Sequence, residues 1–334
     1  GTSKGGTTQL METEVKTRRK IQLRMPGRRT ATGKNASLLL IKRNKVLYLF
    51  ILPAFLYFLI FSYVPMYGVQ IAFKDFSPSK GIFDSPWVGF KHFLRFFNSF
   101  NFWDILRNTI TISFYQLIAG FPIPILLALV LNEMRNAKFK KLLQTVTYAP
   151  HFLSTVVLVG MLTAFLNPST GLVNRVIEML GGEAINFMAE ESWFSSLYVW
   201  SGVWQNAGWG TIIYMASLSS IDVQLYEAAT IDGASRFKKL LHVTLPSIVP
   251  TAVTMLILDC GRIMTIGFEK AFLMQNDLNI NRSEVISTYV YQVGITQAQY
   301  SYSTAVDLFN AVINVILLLV VNKISKKLPQ TSLW

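Results

Sequence analysis

The chain has 334 residues, 51% of them hydrophobic and only 15% charged, with a formal net charge of +13 and a mean hydropathy of +0.39. Soluble domains carry about 25% charged residues, so the composition speaks against a soluble globular protein and for one embedded in a membrane. The single cysteine, Cys260, lies in an apolar run, which rules out a disulfide framework or a thiolate metal cluster and leaves the redox compartment open.

Residues 1–45 form a basic tail of Lys, Arg, Thr and Gly with no apolar core of helix length. Residues 1–10 precede Met11 and could be expression-derived, so they take no part in fold reasoning. Six apolar runs follow, at 46–67, 109–131, 145–166, 194–219, 243–266 and 305–322, each near the roughly 20 residues that cross a bilayer as a helix. Lipid offers the backbone no hydrogen-bond partner, and runs this continuous do not alternate as barrel strands do. The expected fold is therefore all-α, a polytopic helical membrane protein with six transmembrane helices over 46–334. No cleavage site follows the first run, which is expected to remain as an anchor. Pro53, Pro122, Pro124, Pro150, Pro246 and Pro250 lie in or at the ends of the runs, where they predict kinks. Two connecting segments, 87–103 with its many phenylalanines and 172–180 with alternating apolar and polar residues, read as helices at headgroup level. Each is either a platform for a partner protein or packing that caps the bundle.

Lys and Arg placement orients the chain. Twelve lie in the tail up to Lys45, four in loop 132–144, three in loop 220–242 and three after residue 322; the opposite loops hold eight against ten acidic residues. The positive-inside rule puts both termini and loop 220–242 in the cytoplasm. The net charge is mostly this topology, with some attraction to anionic headgroups, and no nucleic-acid partner is expected.

Loop 220–242 also reads as structure. Ala228 and Ala229 are strong helix formers and Glu227 is favourable near a helix start, so a short helix is predicted from about Val223. Gly233 breaks it and permits a second helix from Ala234 to about His242. Pro246 then fits the first turn of the next span. Such an element can protrude from the bilayer and dock into a partner's groove; an ordinary connector with a C-cap glycine has the same local pattern.

Glu227-Ala228-Ala229-Thr230-Ile231-Asp232-Gly233-Ala234, followed after nine residues by Val243-Thr244-Leu245-Pro246, resembles the EAA signature of ABC importer permeases. That signature is Glu-Ala-Ala, three residues, Gly, nine residues, Ile-x-Leu-Pro, and Val243 is its one departure, a conservative one. Tyr63-Val64-Pro65-Met66-Tyr67-Gly68, Asn132-Glu133, Tyr148-Ala149-Pro150-His151-Phe152, Gly208-Trp209-Gly210 and Thr288-Tyr289-Val290-Tyr291 look like carbohydrate-uptake permeases. They match the branch that imports oligosaccharides and polysaccharide fragments, alginate and uronate-containing oligosaccharides included, from about Tyr48 to Trp334. After Thr304-Ala305-Val306 this branch usually has Gly where Asp307 stands here. The resemblance implies the type I ABC importer transmembrane fold in a bacterial inner membrane. It implies a second, related permease chain, an ABC ATPase homodimer that binds ATP and Mg, and a soluble periplasmic sugar-binding protein. No cofactor is expected in this chain itself. Glu227, Ala229, Asp232 and Gly233 match the family's docking positions, with Ala228, Leu245 and Pro246 completing the signature.

Polar residues inside a membrane are costly in lipid and point to a substrate path. Trp193, Trp200 and Trp204 share one helical face, with Gln205, Asn206 and Trp209 nearby. Aromatic faces suit sugar rings and amides suit hydroxyls, although interfacial or packing tryptophans would look the same. Asp259 and Arg262 lie three apart; they are expected to neutralise each other as an ion pair, with contact of Arg262 to an acidic sugar as the other reading. Catalysis has no support. His92, His151 and His242 lack metal-ligand spacing, and there is no phosphate-binding Gly-x-x-x-x-Gly-Lys-Ser/Thr loop. A permease that depends on a partner ATPase is the favoured function. A secondary transporter or channel is the alternative; it would show repeated halves around a midplane site and leaves loop 220–242 without a role.

Overall fold

The computed structural model describes residues 44–326. Most of the basic tail, and Lys327, lie outside the described residues. The described residues divide into two units, 44–67 and 68–326.

In the first unit, the run of Leu, Phe and Ile residues forms α1 (Lys45–Phe58), continued by a wide π turn at Leu59–Tyr63 and one α turn at Val64–Met66. The π turn has a local cause. Pro65 cannot donate to the carbonyl four residues back and its ring would crowd that carbonyl, so the backbone widens just ahead of it.

The second unit is built from α2 (Lys91–Phe97), α3 (Phe102–Glu133), α4 (Ala137–Tyr148), α5 (Thr155–Phe165), α6 (Leu172–Met179), α7 (Glu191–Ser219), α8 (Val223–Ile231), α9 (Arg236–Cys260), α10 (Phe268–Met274), α11 (Ile286–Tyr291) and α12 (Tyr300–Ser325). Among the described residues the only extended pairing is an isolated bridge between Lys74 and Trp87. α7 and α3 are the centre. Ile112, Val159, Phe194, Tyr198 and Met274 bring α3, α5, α7 and α10 together, and Ala128, Tyr214, Leu218 and Ile248 join α3, α7 and α9. Phe96, Ile105, Ile286, Tyr302 and Val306 tie α2 and α11 to α3 and α12.

The all-α expectation holds, and the span count differs in detail. Helices at Lys45–Phe73, Phe102–Glu133, Arg236–Cys260 and Tyr300–Ser325 are long and apolar enough to cross a membrane. The third predicted run is two helices, bent by 102° between Ala137–Phe152 and Thr155–Phe165 and countable as one broken span. The bend falls at a tight turn through Pro150, where Ser154 caps the new helix by accepting from Val157 N–H. The fourth run lies in α7, which at 29 residues is long enough but is diluted by serines, glycines, Gln205 and Asn206. By length and composition alone, four helices among the described residues suit a span, or five with the bent pair, which leaves the six-span count unconfirmed.

The two segments expected at headgroup level form α2 and α6. Phe96 of α2 is buried edge-on against Phe102 and Phe309, whereas Phe100 and Trp103 stay exposed. In α6, buried Asn174 donates to Leu166, Asn167 and Ile185 carbonyls and accepts from Ile185 N–H. These contacts fix the helix in its loop.

Candidate functional site

Two places gather the residues that the sequence singles out. The first is the loop between α7 and α9. Asp222 caps α8 by accepting from Gln224 N–H at 2.9 Å. At the other end Gly233 takes φ +73°, Ala234 N–H donates to Ala229 O at 2.9 Å, and Gly233 N–H donates to Thr230 O at 3.1 Å. That bond pair is a Schellman stop, which needs a residue in the left-handed region. Glu227, Ala228, Asp232 and Gly233 are exposed and Ala229 is half-buried. Leu225, Ile231 and Phe237 are also exposed, Ile231 at 86%. Tyr226 and Thr244 hydroxyls meet at 3.0 Å and Lys239 Nζ donates to Thr230 Oγ1 at 2.6 Å, fastening α8 to the start of α9.

The predicted second helix of this loop does not end at His242. It begins at Arg236, capped by Ser235, and runs through a π turn at Leu240–Thr244 into the span as far as Cys260. Pro246 is the reason: its i−4 carbonyl belongs to His242, and the wide turn relieves that crowding without breaking the helix. Leu245 and Pro246 therefore lie inside a continuous α9.

The second place is a cavity of about 380 Å³ between α3, α7 and the end of α9. Its polar lining is Ser113, Gln116, Asn206, Asp259, Arg262 and Thr265, set among Phe121, Val203 and Ile266. Ser113 Oγ is buried without a hydrogen-bond partner, an arrangement that calls for a ligand or water hydroxyl. Asn206 is held at both ends: its Nδ2 donates to Gly202 O at 3.0 Å, and His151 Nδ1 lies 3.0 Å from its Oδ1. The His151 ring in turn stacks on Trp209 at 4.5 Å. Close helix packing supports this wall. A Cβ on Gly208 would overlap the Thr147 carbonyl, so α7 and α4 meet there only because the residue is glycine.

The cavity brings together Asn206, Asp259 and Arg262, but not every residue of the expected path. Trp200 and Trp204 lie on another face of α7, along an apolar groove of about 390 Å³ with Leu158, Met161 and Phe165. Trp200 Nε1 donates to Tyr115 Oη at 2.7 Å. Gln205 donates to Leu153 O at 2.8 Å, closing the turn between α4 and α5. The expected ion pair of Asp259 with Arg262 is absent: among the described residues no salt bridge within 4.0 Å joins them. α9 stops at Cys260, and in the turn beyond it Arg262 N–H donates to Asp259 O at 3.0 Å, so these two residues are joined through the backbone and not by a salt bridge. Both charges face the cavity instead. Ser113 and Gln116 were not singled out from sequence; two uncharged polar residues three apart inside an apolar run were the available signal.

The model of the family described as binding-protein-dependent transport system inner membrane component matches residues 120–329. The chain is 46% identical over 294 residues to Protein LplB of Bacillus subtilis (strain 168), covering 88% of this chain and 92% of that one. It is 47% identical over 298 residues to the polygalacturonan/rhamnogalacturonan transport system permease protein YteP of the same organism, covering 89% and 93%. Among solved structures it is similar to a chain of a bacterial ABC transporter involved in the import of the acidic polysaccharide alginate, at TM-score 0.80 and 40% identity over 86% of this chain and 98% of that one. A chain of the bacterial alginate ABC transporter in complex with alginate pentasaccharide-bound periplasmic protein matches at TM-score 0.80 and 39% identity, over 88% and 98%. The chain belongs to the binding-protein-dependent transport system inner membrane components, as a non-catalytic permease subunit of an ABC sugar importer.

Proposed function

We propose that this subunit passes an oligosaccharide or polysaccharide, an acidic one such as alginate, from a periplasmic binding protein into the cytoplasm by alternating access. The observation that carries the reading is the cavity of Asn206, Asp259 and Arg262. Its volume of about 380 Å³ falls in the range of ligand pockets. Amide, hydroxyl and guanidinium groups converge in it, and Ser113 Oγ waits there without a partner. Arg262, which forms no salt bridge with Asp259 among the described residues, is available to a uronate carboxylate, and the polygalacturonan and alginate relatives agree with such a substrate.

The exposed α8 and its Gly233 stop supply the second half of the proposal. Glu227, Ala228, Ala229, Asp232 and Gly233, with Ile231 projecting beside them, dock on a partner ATPase that holds the ATP and Mg; both termini share that cytoplasmic side. A second permease chain, related but different, completes the pore with its own half of the cavity. Nucleotide binding closes the ATPase pair, the docked loops move together, and the helix bundles rock to open the cavity outward. The sugar shifts this equilibrium only by its differential affinity for the two states.

The test is ATP hydrolysis by the complex copurified with this chain, in liposomes, with its binding protein loaded by acidic or by neutral oligosaccharides. Stimulation by acidic sugars that Arg262→Gln reduces supports the proposal. If no ATPase copurifies and uptake follows an ion gradient, the proposal fails; stimulation by neutral sugars alone removes the acidic substrate.

A further inference from the structure

A second polar cavity lies at the start of α12, beside the turn that follows α11. Beyond α11 the chain makes a π turn at Gln292–Thr296, and Ala298 follows at φ +54°, a left-handed conformation that costs an L residue roughly 1–2 kcal/mol. Gln297 N–H donates back to Gln292 O at 3.0 Å and Gln299 N–H to Val293 O at 2.9 Å, so the strained residue is held by its neighbours. Strain of this kind persists where surrounding structure fixes it, and it clusters at ligand sites.

The turn disposes Gln292, Gln297 and Gln299 around a cavity of about 400 Å³, closed by Glu284 and, from the segment ahead of α3, by Arg95 and Asn101. Tyr289 and Tyr302 line it as well, their hydroxyls 2.9 Å apart. The Arg95 guanidinium lies 4.3 Å over the Tyr302 ring, which holds it in place while leaving its donors free for a planar acceptor. Gln299 Nε2 donates to Gln297 Oε1 at 3.0 Å, but Gln299 Oε1 is buried without a partner. Burial also pushes the Glu284 carboxyl up, towards the form that donates a proton to a hydroxyl oxygen.

Amides, a guanidinium and tyrosine rings around one small cavity are the groups that bind a sugar: hydroxyls to the amides, ring C–H to the aromatic faces, a carboxylate to the arginine. These residues come from the connection ahead of α3 and the one between α9 and α12, with Tyr302 in the first turn of α12. α9 begins at the Glu227 loop and crosses as one span, so the connection that follows it lies on the opposite side of the membrane from that loop.

We propose that this pocket is a second saccharide subsite on the side from which sugar arrives, taking one uronate ring of the incoming chain with Arg95 on its carboxylate and the glutamine amides on its hydroxyls. The proposal rests on the importer reading above. It gives the permease a foothold for the sugar before the central cavity is reached.

The experiment is calorimetric titration of the permease complex in lipid nanodiscs, without binding protein, using trigalacturonate and the neutral galactotriose. Arg262→Gln serves as the background, so that the outer site is read alone. Arg95→Gln is expected to weaken trigalacturonate roughly tenfold to a hundredfold, as for loss of a hydrogen bond to a charged group, and to leave galactotriose nearly unchanged. Gln297→Ala, which spares the Arg95–Tyr302 contact, is expected to weaken both sugars, and melting temperatures confirm that each variant is folded. Absence of trigalacturonate binding in the background, or unchanged binding in both folded variants, overturns the subsite. In that case ATPase stimulation by sugar-loaded binding protein still upholds the importer; loss of that stimulation with every sugar removes the importer reading instead.

Discussion

Gly233 is where the backbone of the proposed coupling loop can be broken by a single substitution. An added Cβ meets nothing within 4 Å in this chain, so within the subunit substitution acts through the backbone. Alanine at φ +73° costs about 1–2 kcal/mol. Proline costs more: it fixes φ near −65° and removes the N–H that donates to Thr230 O at 3.1 Å. The second bond of the stop, Ala234 N–H to Ala229 O, is then lost with the geometry, at about 1 kcal/mol for each bond. The sum for proline is about 3–4 kcal/mol. Each 1.4 kcal/mol against the docked conformation lowers its population about tenfold where that conformation is the minor state. Sugar-stimulated ATP hydrolysis by the reconstituted complex should therefore fall by up to about thirtyfold for Gly233→Ala and a hundredfold or more for Gly233→Pro. Gly233→Asn should stay near wild type, because asparagine tolerates the left-handed region. The exposed loop carries little of the core, so melting temperatures should hardly move. Full stimulation in Gly233→Pro would refute the argument, and so would equal losses for asparagine and proline.

Other expectations follow from buried groups. Gly208→Ala drives a Cβ into the Thr147 carbonyl and should lower stability by about 1–3 kcal/mol or more, read as a drop in melting temperature that Gly160→Ala, with open space at its Cβ, does not show. Lys270 in α10 is 8% exposed and donates to Tyr198 O at 2.6 Å, and burial lowers its ammonium to about 7. Between that value and the ordinary lysine pKa near 10.4, the unfolded chain binds the extra proton, so stability should rise with pH across the window; Lys270→Met should flatten the rise in a melting series. The hydrogen bond from Lys91 to Asp75, 2.6 Å long, holds the Asp75 carboxyl below its usual range. Its small contribution is present above pH about 3.9 and lost as pH falls through the folded value, and Lys91→Met should reduce that acid dependence, with His92 keeping part of it.

Local chemistry was the legible part of the sequence. The Gly233 stop could be read because glycine, the preceding alanines and the spacing act within a few residues. Asn206 and Arg262 stood out as polar residues in apolar runs, and both reached the cavity. The tryptophans show what one-dimensional spacing leaves out. Trp200 and Trp204 share a face of α7, as their spacing required, but that face looks onto the apolar groove of Leu158 and Met161. Which face meets the cavity is decided by how α3 and α9 pack on α7. The Asp259–Arg262 salt bridge is missing although a turn joins the two residues: α9 ends between them, and both side chains line the cavity. The outer pocket was harder still, since its glutamines come together only through the turn at Ala298.

The continuity of α9 links the two places and suggests where force passes. Its 25 residues span about 37 Å at 1.5 Å per residue. They begin just after the Gly233 stop and end just past Asp259 at the cavity. On the proposed reading, a displacement of the docked loop reaches the cavity through one rod, and the rod's soft point is the π turn at Leu240–Thr244, set there by Pro246. Pro246→Ala restores a donor towards His242 O and removes a residue about 3 kcal/mol less favourable in a helix interior than alanine. The π turn then loses its cause, so the melting temperature should rise while the loop's angle to the span changes. Coupled uptake should fall even though the protein is more stable. A more stable variant with undiminished uptake would show that the bend at Pro246 is packing alone, and the rigid-rod account of coupling would have to be given up.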